Sequence, residues 1–225
     1  MKSRNLTLPK NEEYGYQLAY RLATEQLAEI DDIKEQCRRS GAQYIDSQKA
    51  IIIKYLNQSY LITLPDVEIS LVGREEKVPI REKILILHYL TIAKGTPLSH
   101  EMITYKELPE GANYFPTFYQ RAIRPLVKYF GNEPHRLLDM AKILGGRKAG
   151  YGDVAVTINA FDRVPITLVL WKGDDEFAPE GNIMFDSTIP DYLSTEDINV
   201  LCETIAWKLV NLLRAGGDKT DTNRG

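Results

Sequence analysis

DVAVTINAFDRVPITLVLWKGDDEFAPEGNIMFD, residues 153–186, is the stretch on which the fold turns. Asp153 to Asn159 and Ile166 to Trp171 are β-rich runs on either side of Arg163-Val164-Pro165, and Asn182 to Phe185 offers a third. Runs of this composition punctuated by turn residues read as a small antiparallel sheet. Directly downstream, Ser194-Thr195-Glu196-Asp197 approximates an N-terminal capping box, and Ile198, Leu201, Cys202, Ile205, Leu209, Leu212 and Leu213 then recur at helical spacing.

Upstream the pattern alternates in the same way. Between Asn11 and Arg39 the apolar residues Tyr14, Leu18, Leu22, Leu27, Ile30, Ile33 and Cys37 recur at three- to five-residue steps, which predicts one long amphipathic helix ended by Gly41. Ala50 to Tyr55 and Ser59 to Leu64 read as a hairpin across Leu56-Asn57-Gln58, and Pro65-Asp66 turns the chain into a further extended run, Val67 to Val72. Pro79 opens a helix to Lys94 that is apolar nearly all round and therefore central; Gly95 and Pro97 stop it. Tyr114 to Phe130 has a helical apolar stripe interrupted by Pro125, which predicts a kink or two short helices, and Pro134 to Leu144 suggests another. The sum is an α+β chain: a single domain over 11–215 with long N-terminal and C-terminal amphipathic helices and a small, mainly antiparallel sheet. Residues 1–10 are expected to be a flexible N-terminus and 216–225 a disordered tail.

Composition narrows the function classes. Lysine plus arginine (28) against aspartate plus glutamate (31) leaves a net charge of −3, so no overall field attracts nucleic-acid phosphates. An apolar fraction of 44% with 26% charged residues suits a globular core. No apolar stretch approaches the length of a membrane span and no leader pattern follows Lys2 and Arg4, so a cytoplasmic protein is expected. Cys37 and Cys202 are isolated in sequence, which fits buried free thiols better than a metal site or disulfide.

Several motifs could carry chemistry. Asp174-Asp175-Glu176 follows Trp171 at a strand end and Asp186 follows the next strand; clustered carboxylate oxygens suit Mg²⁺ or Ca²⁺, whereas the plainer reading is a solvated turn with one carboxylate capping backbone amides. Gly145-Gly146-Arg147-Lys148 pairs glycines with two cations and could touch an anion, although Tyr151 and Gly152 stand where a phosphate loop needs Lys and Ser or Thr. His88 sits in the apolar helix, where a satisfied buried histidine competes with an axial ligand or base. The aromatics Tyr105, Tyr114, Phe115, Phe118, Tyr119, Tyr129 and Phe130, interleaved with Arg121 and Arg124, either fill the core or line a pocket for a planar ligand.

Ile84-Leu85-Ile86-Leu87-His88-Tyr89-Leu90, Gly152-Asp153, Arg163-Val164-Pro165, the run from Leu170 to Phe177 and Ile183-Met184-Phe185-Asp186 together resemble the family catalogued as domain of unknown function 3786, over roughly Tyr14 to Leu213. Met184 stands where that pattern has leucine, and Asp162 where it has proline. The resemblance implies an architecture and a setting: some relatives look like fusions to a cysteine-rich iron–sulfur domain of corrinoid-dependent one-carbon metabolism in anaerobes. Two isolated cysteines cannot hold such a cluster. The leading expectation is an accessory protein binding a small planar cofactor, such as a corrinoid or other tetrapyrrole, with Arg163, Trp171, Asp174, Glu176 and Phe177 as the rim and His88 as axial ligand or donor. The alternatives are a Mg²⁺-dependent hydrolase or lyase using Asp174, Glu176 and Asp186, and a protein–protein interaction module docking through Asp174 to Pro179.

Overall fold

The computed structural model describes residues 11–221, with side chains over 14–216. The expected flexible N-terminus, 1–10, and positions 222–225 of the expected tail lie outside the described residues. Instead of one N-terminal helix there are two, α1 (Asn11–Ala28) and α2 (Ile33–Ser40). Asp32 makes the break: it leaves helical geometry, and its side chain accepts the Glu35 amide as an N-cap. Gly41, at φ 74°, closes α2; its amide reaches the Arg38 carbonyl and that of Ala42 reaches Cys37, the paired bonds of a Schellman motif.

The chain then builds a four-stranded antiparallel sheet from β1 (Gln43–Ile45), β2 (Ala50–Tyr55), β3 (Gln58–Thr63) and β4 (Glu68–Leu71). The β2–β3 hairpin is tight because Leu56 and Asn57 both adopt positive φ, 46° and 63°, the twist a two-residue connection requires. Helix α3 (Ile80–Ile92) crosses the centre, with Leu85, Ile86, Leu87, Tyr89 and Leu90 buried, as its all-round apolar pattern predicts.

A second sheet runs β5–β9–β8–β7–β6, antiparallel throughout, from β5 (Met102–Thr104), β6 (Arg147–Ala149), β7 (Val154–Phe161), β8 (Val164–Trp171) and β9 (Glu180–Asp186). The three predicted strands are its centre; two three-residue strands widen it beyond the small sheet expected. β8 is buried on both faces from Ile166 to Leu170, so helices cover one side and the first sheet's corner approaches the other elements through Tyr55 and Phe161, whose rings lie 5.0 Å apart. Tyr89 stacks on Phe161 at 3.9 Å, so buried side chains continue from one sheet to the other.

Between the sheets' strands lie α4 (Gly111–Phe118), a five-residue π-helix (Tyr119–Ile123), α5 (Arg124–Phe130) and α6 (His135–Ile143). Pro125 cannot donate to the carbonyl one turn back. The chain answers by widening to a π turn, with the Arg124 amide bonded to the Tyr119 carbonyl, and not by breaking. Helix α7 (Thr195–Asp221) packs Ile198, Leu201, Cys202, Ile205, Leu209 and Val210 into the core. No helix among the described residues is long and apolar enough to cross a membrane.

Candidate functional site

At the end of β8 the chain opens a groove of about 580 Å³. Trp171 pairs across the sheet with Glu180, the first residue of β9, and Phe115 and Tyr119 face the same space from α4 and the π turn. The fourth side is the turn after β5. There the Glu107 carboxylate accepts both the amide (2.7 Å) and the hydroxyl (2.8 Å) of Thr104, which fixes Lys106 with its ammonium 4.3 Å from the centre of the Phe115 ring. Asn182 and Gly181 form the floor. A Cβ on Gly181 would stand 2.8 Å from a Val127 methyl, so glycine lets the strand lie close under α5.

The aromatic set of the middle third is therefore divided. Phe118 and Phe130 are fully buried, and Tyr105 stacks on Phe118 at 3.8 Å. Tyr119 and Trp171 remain 37% and 41% exposed and line the groove. Core and pocket are thus built from one helical stripe, with Phe118 on its buried side and Tyr119, the next residue, on the side of the groove.

Of the residues singled out from the sequence, Trp171 lines the groove and Asp174, Glu176 and Phe177 occupy the turn beside it. That turn is held by Asp174, whose Oδ1 accepts the amides of Glu176 (2.9 Å) and Phe177 (2.8 Å), while its own amide donates to the Phe177 carbonyl. Those amides, Phe177 first, hold the Asp174 carboxyl below its ordinary range. Phe177 is 70% exposed.

The other residues lie elsewhere. Arg163 precedes β8 at the end opposite Trp171, about 25 Å away for a strand of this length. Its amide donates to the Tyr89 hydroxyl, which donates to the Ser40 carbonyl at 2.6 Å. His88 does not line the groove; its Nδ1 is 2.8 Å from Oδ1 of Asp197. Asp186 ends β9 at the opposite end from Glu180 and is buried, taking hydrogen bonds from Ser99, His100 and Thr188. Asp174 and Glu176 thus stand a strand's length from Asp186, and among the described residues no group of three or more His, Cys, Asp or Glu is placed to hold a metal ion. The glycines of the basic loop cap α6: the Gly145 amide bonds to Lys142 and the Gly146 amide to Ala141. Both thiols are buried, and burial pushes that of Cys37 up to about 11.

Thr104, Lys106, Glu180, Gly181 and Asn182 are the groove residues that sequence reading did not single out. They come from the end of β5, the turn after it and β9, and the pairing of Glu180 with Trp171 is set by the β8–β9 register, which extends β9 two residues before the run Asn182 to Phe185 read from the sequence.

A family model described as "Domain of unknown function (DUF3786)" matches residues 32–207. Neither a curated protein nor a solved structure matches the chain.

Proposed function

The chain belongs to the family described as Domain of unknown function (DUF3786), and on that footing we propose that it is an accessory protein that binds a small planar cofactor in the groove between Trp171 and Tyr119. The observation that carries this reading is the groove itself: about 580 Å³, within the range of sites for cofactor-sized ligands, with aromatic side chains on its walls and polar side chains set among them. Flat rings bury a conjugated ligand at low entropic cost. Lys106 and Glu180 would orient its polar substituents, the ammonium favouring a carboxylate or phosphate and the carboxylate an amide donor. A corrinoid or other tetrapyrrole has this character, a broad conjugated face with polar arms. His88 would not serve as axial ligand, since it stands outside the groove and is engaged by Asp197.

Trp171 reports on its own site. The only other tryptophan is Trp207, so a Trp207→Phe variant leaves a single emitter beside the groove. Titrating that variant with cobalamin, haem and flavin mononucleotide should quench its fluorescence saturably for a true ligand, and removing the facing ring by Tyr119→Ala should weaken binding. An unchanged emission with every one of these compounds would remove the reading.

A second reading rests on Phe177, whose exposure beside the half-exposed Trp171 suits a partner protein seated on the turn from Asp174 to Pro179. Phe177→Ser would then abolish co-purification of that partner without touching cofactor affinity. The arrangement of Asp174, Glu176 and Asp186 lends the Mg²⁺-dependent alternative no support.

A further inference from the structure

The side chains that β8 and β9 bring to the groove belong to one face of the sheet. Trp171 stands directly opposite Glu180 in the strand pairing, and Asn182 follows Glu180 by two residues, about 7 Å along the strand. Gly181, between them, turns the other way, onto Val127. β5 covers β9 only from Met184 to Asp186, so among the described residues no strand lies beside Glu180 to Ile183 on the side away from β8. The Ile183 amide donates instead to Oδ1 of Asn182 at 2.8 Å. That bond orients the Asn182 amide: its oxygen is taken by the strand, and its Nδ2 is left as a donor.

The two side chains read a planar ring in a fixed order. Glu180 offers a carboxylate, which accepts two adjacent N–H groups at once; Asn182 offers a donor, which needs an acceptor beside them. Water satisfies each group singly, so neither alone selects a ligand. Their order along one strand, next to an aromatic ring, does. Rings that present N–H, N–H and C=O along a single edge carry an amino group beside a lactam, the edge that guanine and pterins share. The imide edge of a flavin would set carbonyl oxygens against Glu180, adenine would set a ring-nitrogen lone pair there, and a tetrapyrrole directs its ring nitrogens inward.

We propose that the groove takes a 2-amino-lactam ring of the guanine and pterin class, stacked on Trp171, its two N–H groups donating to the Glu180 carboxylate and its carbonyl accepting from Asn182 Nδ2. This rests on reading the groove as the site of a planar ligand, and narrows that reading away from tetrapyrroles. Lys106, on the wall formed by the turn after β5, is the cation for a phosphate or carboxylate carried by the ring's substituent.

Calorimetric titration of the full chain with guanosine, guanosine monophosphate, neopterin and folate tests this, beside inosine, which lacks the 2-amino group, adenosine monophosphate and flavin mononucleotide. At least one 2-amino-lactam should bind at or below about 100 µM, and each of the other three roughly tenfold or more weakly. Tightest binding by a guanine compound names a nucleotide as the source of the ring; tightest binding by neopterin or folate names a pterin. Glu180→Gln should weaken that binding roughly ten- to hundredfold, the effect of losing a charged hydrogen-bonded contact. Asn182→Asp keeps an acceptor for the Ile183 amide and removes the donor, so it should weaken the ligand comparably while leaving the melting temperature near that of the wild type. If no 2-amino-lactam binds, if one of the three controls binds as tightly, or if both variants bind like the wild type, the proposal fails. In that event saturable quenching of Trp171 by cobalamin, haem or flavin mononucleotide preserves the planar-cofactor reading, and the lack of any quenching removes both.

Discussion

The imidazole Nδ1 of His88 lies 2.8 Å from Oδ1 of Asp197, joining the middle of α3 to the first turn of α7 across 109 residues of sequence. The same carboxylate accepts the Ser194 hydroxyl on Oδ2 at 2.6 Å, and the Asp197 amide donates back to that hydroxyl. One buried aspartate therefore caps a helix and clamps the helix beside it.

The hydrogen bond that the ring N–H donates to Asp197, opposed by burial and aided by the charges of Asp197 and Glu196, holds the His88 pKa above its ordinary 6.5. A raised pKa means the folded state favours the protonated ring. Its stabilisation is complete below pH 6.5 and is lost as pH rises through the folded value. Urea denaturation between pH 5.5 and 9 should show this loss, and His88→Gln should flatten it. A His88 NMR titration midpoint at or below 6.5 would contradict the assignment.

Asp186 behaves with the opposite sign. Burial is the largest single influence and pushes its carboxyl up, but hydrogen bonds from the hydroxyl and amide of Thr188 and the amides of Ser99 and His100 outweigh it and bring it to about 2. The stabilisation is present above the ordinary value of 3.8 and disappears as pH falls from about 4 towards 2. Asp186→Ala should cost roughly 2–4 kcal/mol at pH 7, because several donors lose their acceptor at once, and its acid unfolding should start from a flatter baseline. Melting curves of both proteins from pH 2.5 to 7 measure this.

These two carboxylates mark where the sequence stops being readable. The capping role of Ser194 and Asp197 is local and is visible in the string itself. The reach of Asp197 to His88, and of Asp186 to Ser99 and His100, depends on how α3, α7 and β9 come together, which no local pattern encodes. The break between α1 and α2 was hidden because Leu27, Ile30 and Ile33 keep helical spacing straight through it; the signal against them was Asp32, three residues before Glu35. The short edge strands β1, β5 and β6 carry too few residues for alternation to show. Arg163 and Trp171 looked like neighbours of one site because they are close in sequence, yet a strand separates its own two ends by its full length.

Gln36 supplies a sharper test of packing. Its side-chain nitrogen donates to the carbonyls of Leu90 (2.7 Å), Thr91 (3.1 Å) and Ala93 (3.0 Å), closing the C-terminal end of α3 from a neighbouring helix. Gln36→Leu should destabilise by about 1–3 kcal/mol, leaving buried carbonyls without a donor. Gln36→Glu should be worse at neutral pH, since it sets a carboxylate oxygen against those carbonyls, and should recover partly in mild acid as the carboxyl gains a proton to donate. Ranking the denaturation midpoints as wild type, Leu, Glu at pH 7 checks the donor role; equal midpoints for all three would exclude it.

The turn beside Trp171 should be separable from the fold that carries it. Asp174 Oδ1 organises the turn by accepting the amides of Glu176 and Phe177, and the side chains around it lie on the surface. Asparagine keeps an acceptor oxygen in the same place, whereas alanine keeps none. Asp174→Asn should therefore retain slow hydrogen exchange at the Glu176 and Phe177 amides, and Asp174→Ala should accelerate it. Neither change should move the melting temperature appreciably, because surface positions outside a packed network contribute little to global stability. If Asp174→Ala weakens ligand quenching of Trp171 while Asp174→Asn does not, the ordered turn acts on the groove by positioning its rim. If both variants quench like the wild type, the groove works without the turn, and the turn's exposed Phe177 is left to contacts with another protein.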